Sequence, residues 1–214
     1  MNAKCNLVTV LLLCCLIFPG NAQEFNWQDL VNRKQYAAVI ARADSLTPAD
    51  SSDYEVMNAI GQAYEGMLRY RQAYDYYRLC LSIDTTNLDI LNTLARTATN
   101  LGKAKDAERY FHKVLAADSL NFYANYQLAR LYFQLGEYER AVDTYEKLQA
   151  RNEDNTALYR AIGDCYSRLE QYPSATIAYF QAYNLNRENA GLAGALVNTL
   201  YRMGVGSRTD CRTV

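Results

Sequence analysis

One histidine, one tryptophan and three prolines are all that 214 residues contain of those types. With a lone histidine, His112, and no Cys or His pair at ligand spacing, no metal centre is expected. There is no glycine-rich phosphate loop, and no serine sits in a nucleophile-elbow context, so neither a cofactor nor a catalytic residue is expected. Charge of one sign is missing too. Lysine plus arginine number 22 against 23 acids, a formal charge of −1. That balance exerts no bulk pull on nucleic acid or anionic lipid, so no nucleic-acid partner is expected. Long apolar runs are also absent: Leu7–Phe18 falls short of the about 20 residues a membrane helix needs, and no later stretch reads as a span.

The short run belongs to a leader. Lys4 supplies a positive start, and Gly20-Asn21-Ala22 presents small residues where a signal peptidase cuts. Residues 1–22 therefore read as a signal peptide and the remainder as exported; in a bacterium that means the periplasm or outer-membrane surroundings. Cys14 and Cys15 raise a lipid anchor, but bulky Leu13 stands where lipoprotein signals prefer a small residue, which argues against one. Of six cysteines, cleavage leaves Cys80, Cys165 and Cys211.

What the sequence has is a period. Gly61, Ala95, Ala129, Gly163 and Val197 recur at one constant interval, and a large aliphatic precedes each: Ile60, Leu94, Leu128, Ile162 and Leu196. Shortly after come Tyr64, Ala98, Tyr132, Tyr166 and Leu200. Further on, alanine occupies 73, 107, 141 and 175, followed one helical turn later by Tyr77, Phe111, Tyr145 or Tyr179. Spacings of 3, 4 and 7 put residues on one helical face, so each unit reads as two amphipathic helices. The first helices fall near 54–67, 88–100, 122–135 and 156–169, and the second near 70–83, 104–117, 138–151 and 172–185. Gly102 and Gly136 lie where first helices should stop, and Pro173 lies where a second one starts. The small residue lets two backbones approach, and the alanine–aromatic pair fills the space between them. About half of the 19 tyrosines fall in these packing columns, where ring and hydroxyl each have a use.

The columns resemble the tetratricopeptide repeat, whose unit is about 34 residues long. The clearest stretches are Leu128-Ala129-Arg130-Leu131-Tyr132 with Leu135-Gly136-Glu137-Tyr138-Glu139-Arg140-Ala141, and Ile162-Gly163-Asp164-Cys165-Tyr166. The resemblance implies an all-α fold, a right-handed α-solenoid of antiparallel helix hairpins. Its units are 54–87, 88–121, 122–155 and 156–189. Departures are Asn125 and Ala193 at the bulky first column, Ala98 for tyrosine, and no proline at unit junctions, where Asp84, Asp118, Asn152 and Asn186 recur as turn formers. Residues 23–53 read as a divergent helix pair with Trp27 in the small-residue column, an N-terminal cap on the array. Residues 190–203 read as a C-terminal helix carrying one charge, Arg202, with an apolar side open to self-association. Residues 204–214 read as a disordered tail.

Cys80 stands in a core column and reads as a buried free thiol. Units stack at about 10 Å, so Cys80 and Cys165 lie three steps apart, beyond the roughly 4.4–6.8 Å of a disulfide. Cys211 is a candidate for an intermolecular bond.

The resemblance also implies where a partner would bind. In this family the first helices line a concave groove, and the positions not used by the core columns face it. Asn58, Asn92, Arg96, Tyr123, Tyr126, Arg130, Phe133 and Arg160 are the candidate groove residues. Asparagine can bond an extended backbone through donor and acceptor, arginine grips carboxylates, and aromatic rings add area at low entropy cost. The carboxylate clamp of chaperone-adaptor members is not kept: its columns hold Asn58 and Gln62, Thr93, then Tyr123 and Gln127. The expected function is a non-enzymatic exported scaffold that binds a peptide or protein segment of some acidic character, in envelope assembly or secretion. A truncated sensory input region of a membrane signalling protein is the alternative, and the cluster Tyr123, Tyr126 and Phe133 leaves a carbohydrate-handling role open.

Overall fold

The computed structural model describes residues 26–45, 53–149 and 154–210, the last six as backbone alone. The leader with Cys14 and Cys15, Asn152, Cys211 and residues 211–214 lie outside the described residues. Among those described, every regular element is a helix. A short pair, α1 (Trp27–Asn32) and α2 (Tyr36–Ala43), precedes four hairpins. These are α3 (Tyr54–Gly66) with α4 (Tyr70–Ile83), α5 (Leu88–Asn100) with α6 (Ala104–Ala117), α7 (Phe122–Leu135) with α8 (Tyr138–Gln149), and α9 (Thr156–Arg168) with α10 (Tyr172–Leu185). The last element is α11 (Ala190–Asp210). From α2 onward each helix packs on the next, and α5 also touches α7, so first helices line up along one side.

The helices begin and end by one rule, repeated in every unit. Asp53, Asn87, Asn121 and Asn155 cap the first helices, their side-chain oxygens accepting backbone N–H groups from the first turn. Asn189 does the same for α11, accepting from Gly191 and Leu192 at 3.0 and 3.2 Å. At the other end a left-handed residue closes every first helix: Lys34, Leu68, Gly102, Gly136 and Glu170 have φ between 57° and 80°. The residue after each donates its N–H back across the turn, as Arg69 does to the Tyr64 carbonyl at 2.8 Å and Lys103 to that of Ala98 at 2.9 Å. Glycine fills two of the five positions, and the other three hold the same geometry with a side chain.

Inside, one apolar cluster runs from Val39 to Ala178, and a second, of Tyr159, Ala175, Tyr179, Ala182 and Leu192, joins α9, α10 and α11. Tyr77, Phe111 and Tyr145 are the largest fully buried side chains of the first. At Gly61 and Gly163 a Cβ would fall 2.6 and 2.7 Å from the rings of Tyr77 and Tyr179, so only hydrogen fits there. Thr97 and Thr199 share a column with Cys165, and their hydroxyls donate to carbonyls of their own helices, which removes the cost of burying them. Cys80 and Cys165 are free and buried. Burial pushes their thiols up to about 11 and about 12, so both stay protonated and inert.

The expected tail is corrected in part. Helix α11 does not stop at Met203 but continues to Asp210. No left-handed residue ends it at Gly204, and a glycine inside a helix costs only about 1 kcal/mol, less than is needed to stop it. Polar composition and lack of periodicity do not by themselves break a helix already propagating from a packed N-terminal half.

Candidate functional site

Two adjacent columns of the first helices form a stripe. One holds Asn58, Asn92, Tyr126 and Arg160, the other Gln28, Gln62, Arg96, Arg130, Asp164 and Asn198. Neighbouring units join along it. Gln28 Nε2 donates to Gln62 Oε1 at 3.3 Å, one repeat further along the chain.

The sharpest feature is at Arg96. Its guanidinium grips Glu65 of the preceding unit through both nitrogens, Nη2 to Oε2 at 2.8 Å and Nη1 to Oε1. The pair is half withdrawn from water, with Arg96 40% and Glu65 14% exposed. The Tyr77 hydroxyl donates to Glu65 Oε2 at 3.0 Å. Tyr77 reaches that carboxylate by passing beneath Gly61, which explains the glycine. Burial first, and then the Glu65 charge, push the Tyr77 hydroxyl well above the usual tyrosine range, so it remains a donor. The arrangement recurs in the fourth unit, where the Tyr179 hydroxyl passes Gly163 and donates to Asp164 Oδ1 at 2.7 Å.

The other candidates divide by what already holds them. Tyr126 stacks on Phe122 at 5.9 Å and meets Tyr145 edge-on at 5.4 Å. Phe133 lies edge-on to Tyr138 at 5.4 Å, under the Arg168 guanidinium at 5.6 Å. Arg160 is exposed, its Nε 4.0 Å from Asp164 of its own helix. Arg130 is exposed, and its bond is to a neutral partner, Gln127 Oε1 at 3.0 Å. Tyr123 is exposed beside Arg96. Asn58 and Asn92 are half-buried. Among the described residues Asn92 Oδ1 is a buried side-chain oxygen without a hydrogen-bond partner.

Tetratricopeptide repeat profiles match residues 54–87 and 99–165. The helical stack superposes on the crystal structure of MamA with a TM-score of 0.67, at 19% identity, over 77% of this chain and 92% of that one. It superposes on YrrB, described as a TPR protein with an unusual peptide-binding site, with a TM-score of 0.68 at 17% identity, over 79% and 87%. The chain is a tetratricopeptide repeat protein. At these identities the two structures speak for its fold alone, and no curated protein matches it significantly.

Within this tetratricopeptide array, sequence reasoning missed two parts of the lining. The hydroxyls of Tyr77 and Tyr179 belong to core rings, yet both end on groove carboxylates. The signal was present as tyrosine paired with glycine, against alanine opposite Phe111. The capping column 53, 87, 121, 155 and 189 was equally visible as an Asp or Asn once per repeat. Asn125, which departs from the bulky column, donates to the carbonyls of Ser119 and Asn121 at 3.1 and 3.0 Å, so it ties the inter-unit turn to its helix.

Proposed function

We propose that the protein is an exported, non-enzymatic scaffold whose concave groove binds a peptide or protein segment with acidic character, in envelope protein assembly or secretion. Arg130 carries the reading. Arg96 is already neutralised by Glu65, whereas Arg130 faces solvent with a neutral neighbour and can take a carboxylate without breaking an ion pair. Asn92 adds an amide whose carbonyl has no partner, free to turn towards a backbone N–H without losing a protein bond. Tyr123 supplies aromatic area beside Arg96. The peptide-binding description of YrrB supports the ligand class, and Lys4 with Leu7–Phe18 and Gly20–Ala22 supports export.

The test is display selection of peptides on the full chain, followed by titration of the enriched sequences. Arg130→Ala should weaken an acidic peptide by roughly 1.5–3 kcal/mol, the usual size for a hydrogen bond to a charged group. Enrichment of peptides without acids, or an unchanged affinity for Arg130→Ala, overturns the reading.

A further inference from the structure

We propose that the cleft between α9 and α11 is a carboxylate subsite of the groove; the assignment rests on the peptide-binding reading above. The cleft has a volume of about 230 Å³ and opens where the first helices turn into their hairpins. Arg168 closes α9, and Arg202 stands one repeat later on α11, so the two arginines occupy one column and both line the cavity. Earlier units hold Gly66, Asn100 and Gln134 in that column. The positive pair is therefore a property of this end of the array and not of the repeat.

Neither arginine is in an ion pair with a described side chain; Arg168 rests on the Phe133 ring at 5.6 Å. Asn198 adds an amide donor at the wall, and Tyr172 also lines the cleft. Glu170 stands at the rim as the opposing charge, one acid against two arginines. The volume lies below the roughly 300–1,000 Å³ of pockets that enclose whole small molecules, so the cleft takes an anionic group at the end of something longer. A guanidinium grips a carboxylate through two parallel N–H···O bonds, and the cleft wall offers two arginines. Asn198 belongs to a groove column, so a chain lying in the groove reaches the cleft without leaving its path.

The probes are N-acetyl trialanine with a free carboxyl end, the same peptide amidated, an amidated peptide ending in aspartate, and inorganic phosphate. Each is titrated into the full chain while the backbone NMR signals of Asn198 and Arg202 are followed. Saturable shifts with a carboxylate peptide and none with the amide are expected. The free-end and aspartate arms then tell a chain terminus from an acidic side chain. Arg202→Gln and Arg168→Gln, with circular dichroism unchanged, should each weaken the carboxylate peptide roughly tenfold, a loss of about 1.4 kcal/mol. Glu170→Gln should tighten it, which a merely structural role for the acid would not do. Equal shifts with the amide, unchanged affinity in both arginine variants, or binding of phosphate in place of the peptides overturns the assignment. The display selection reads the groove and these titrations read the cleft at Arg168 and Arg202, so failure of the groove and failure of the subsite are told apart.

Discussion

Leu68 has a φ of 59° and is 71% exposed, so it bears left-handed strain with little packing in return. Leu68→Gly should raise stability by about 0.5–1 kcal/mol, because glycine adopts this conformation freely and the lost side chain covered little. An unchanged or lower urea midpoint contradicts this. The opposite experiment is Gly163→Ala. A methyl group placed 2.7 Å from the Tyr179 ring must displace it, and overpacking of this kind costs roughly 1–3 kcal/mol. That displacement should also move the tyrosine hydroxyl off Asp164, so the variant is expected to lose groove binding together with stability. Sequence alone pointed to a small residue at this column. It could not show that the aromatic beyond it continues into the groove and donates there, since that depends on how closely two helices lie.

The helices depend on their ends and on a few ties across units. Asn87 accepts from Asp89 and Ile90, both at 3.1 Å, and Asn87→Ala should cost about 1 kcal/mol in chemical denaturation. On the side formed by second helices, Glu108 of α6 accepts from Tyr132 of α7 at 2.9 Å and from Arg140 of α8 at 2.7 Å, with the Arg140 guanidinium over the Tyr132 ring. The hydrogen bond from Arg140 lowers the Glu108 carboxyl below the usual range, against some desolvation and with help from Tyr132. A depressed carboxylate contributes stability above its unfolded pKa, near about 4.3, and loses it as the pH falls through the folded value. The wild-type melting temperature should therefore fall more between pH 6 and pH 3 than that of Glu108→Gln. Parallel curves would remove Glu108 as the tie between these units. Tyr132 and Arg140 stand in later helices, far along the chain from Glu108, and periodicity marked the three only as surface and core positions; the bond depends on how three helices stack.

Among the described residues, each unit covers the apolar side of its predecessor, and α11, the last described helix, has that side exposed. Val197 stands in the column that Tyr179 covers at Gly163, yet it is 65% exposed, and Leu200 is 50% exposed. Self-association through α11 is expected on this ground, a second copy supplying the apolar surface that a following hairpin supplies elsewhere. Sedimentation velocity over a concentration series checks it, with Leu200→Lys expected to shift the protein towards monomer; a concentration-independent monomer rules it out. No described helix is long and apolar enough to cross a membrane.

The sequence by itself determined the repeat, the helix boundaries within the units and the burial of the aromatic columns, because the repeat interval and the helical turn are local properties written in every unit. It also placed Arg96 and Arg130 in equivalent positions. Only the tertiary structure separated them, engaging Arg96 with Glu65 and Tyr77 while leaving Arg130 exposed, because pairing between charges depends on which side chains from neighbouring units come within hydrogen-bond reach, about 3 Å. The same holds for Arg168 and Arg202, one period apart in the chain and brought to a single cleft by the stacking of two helices.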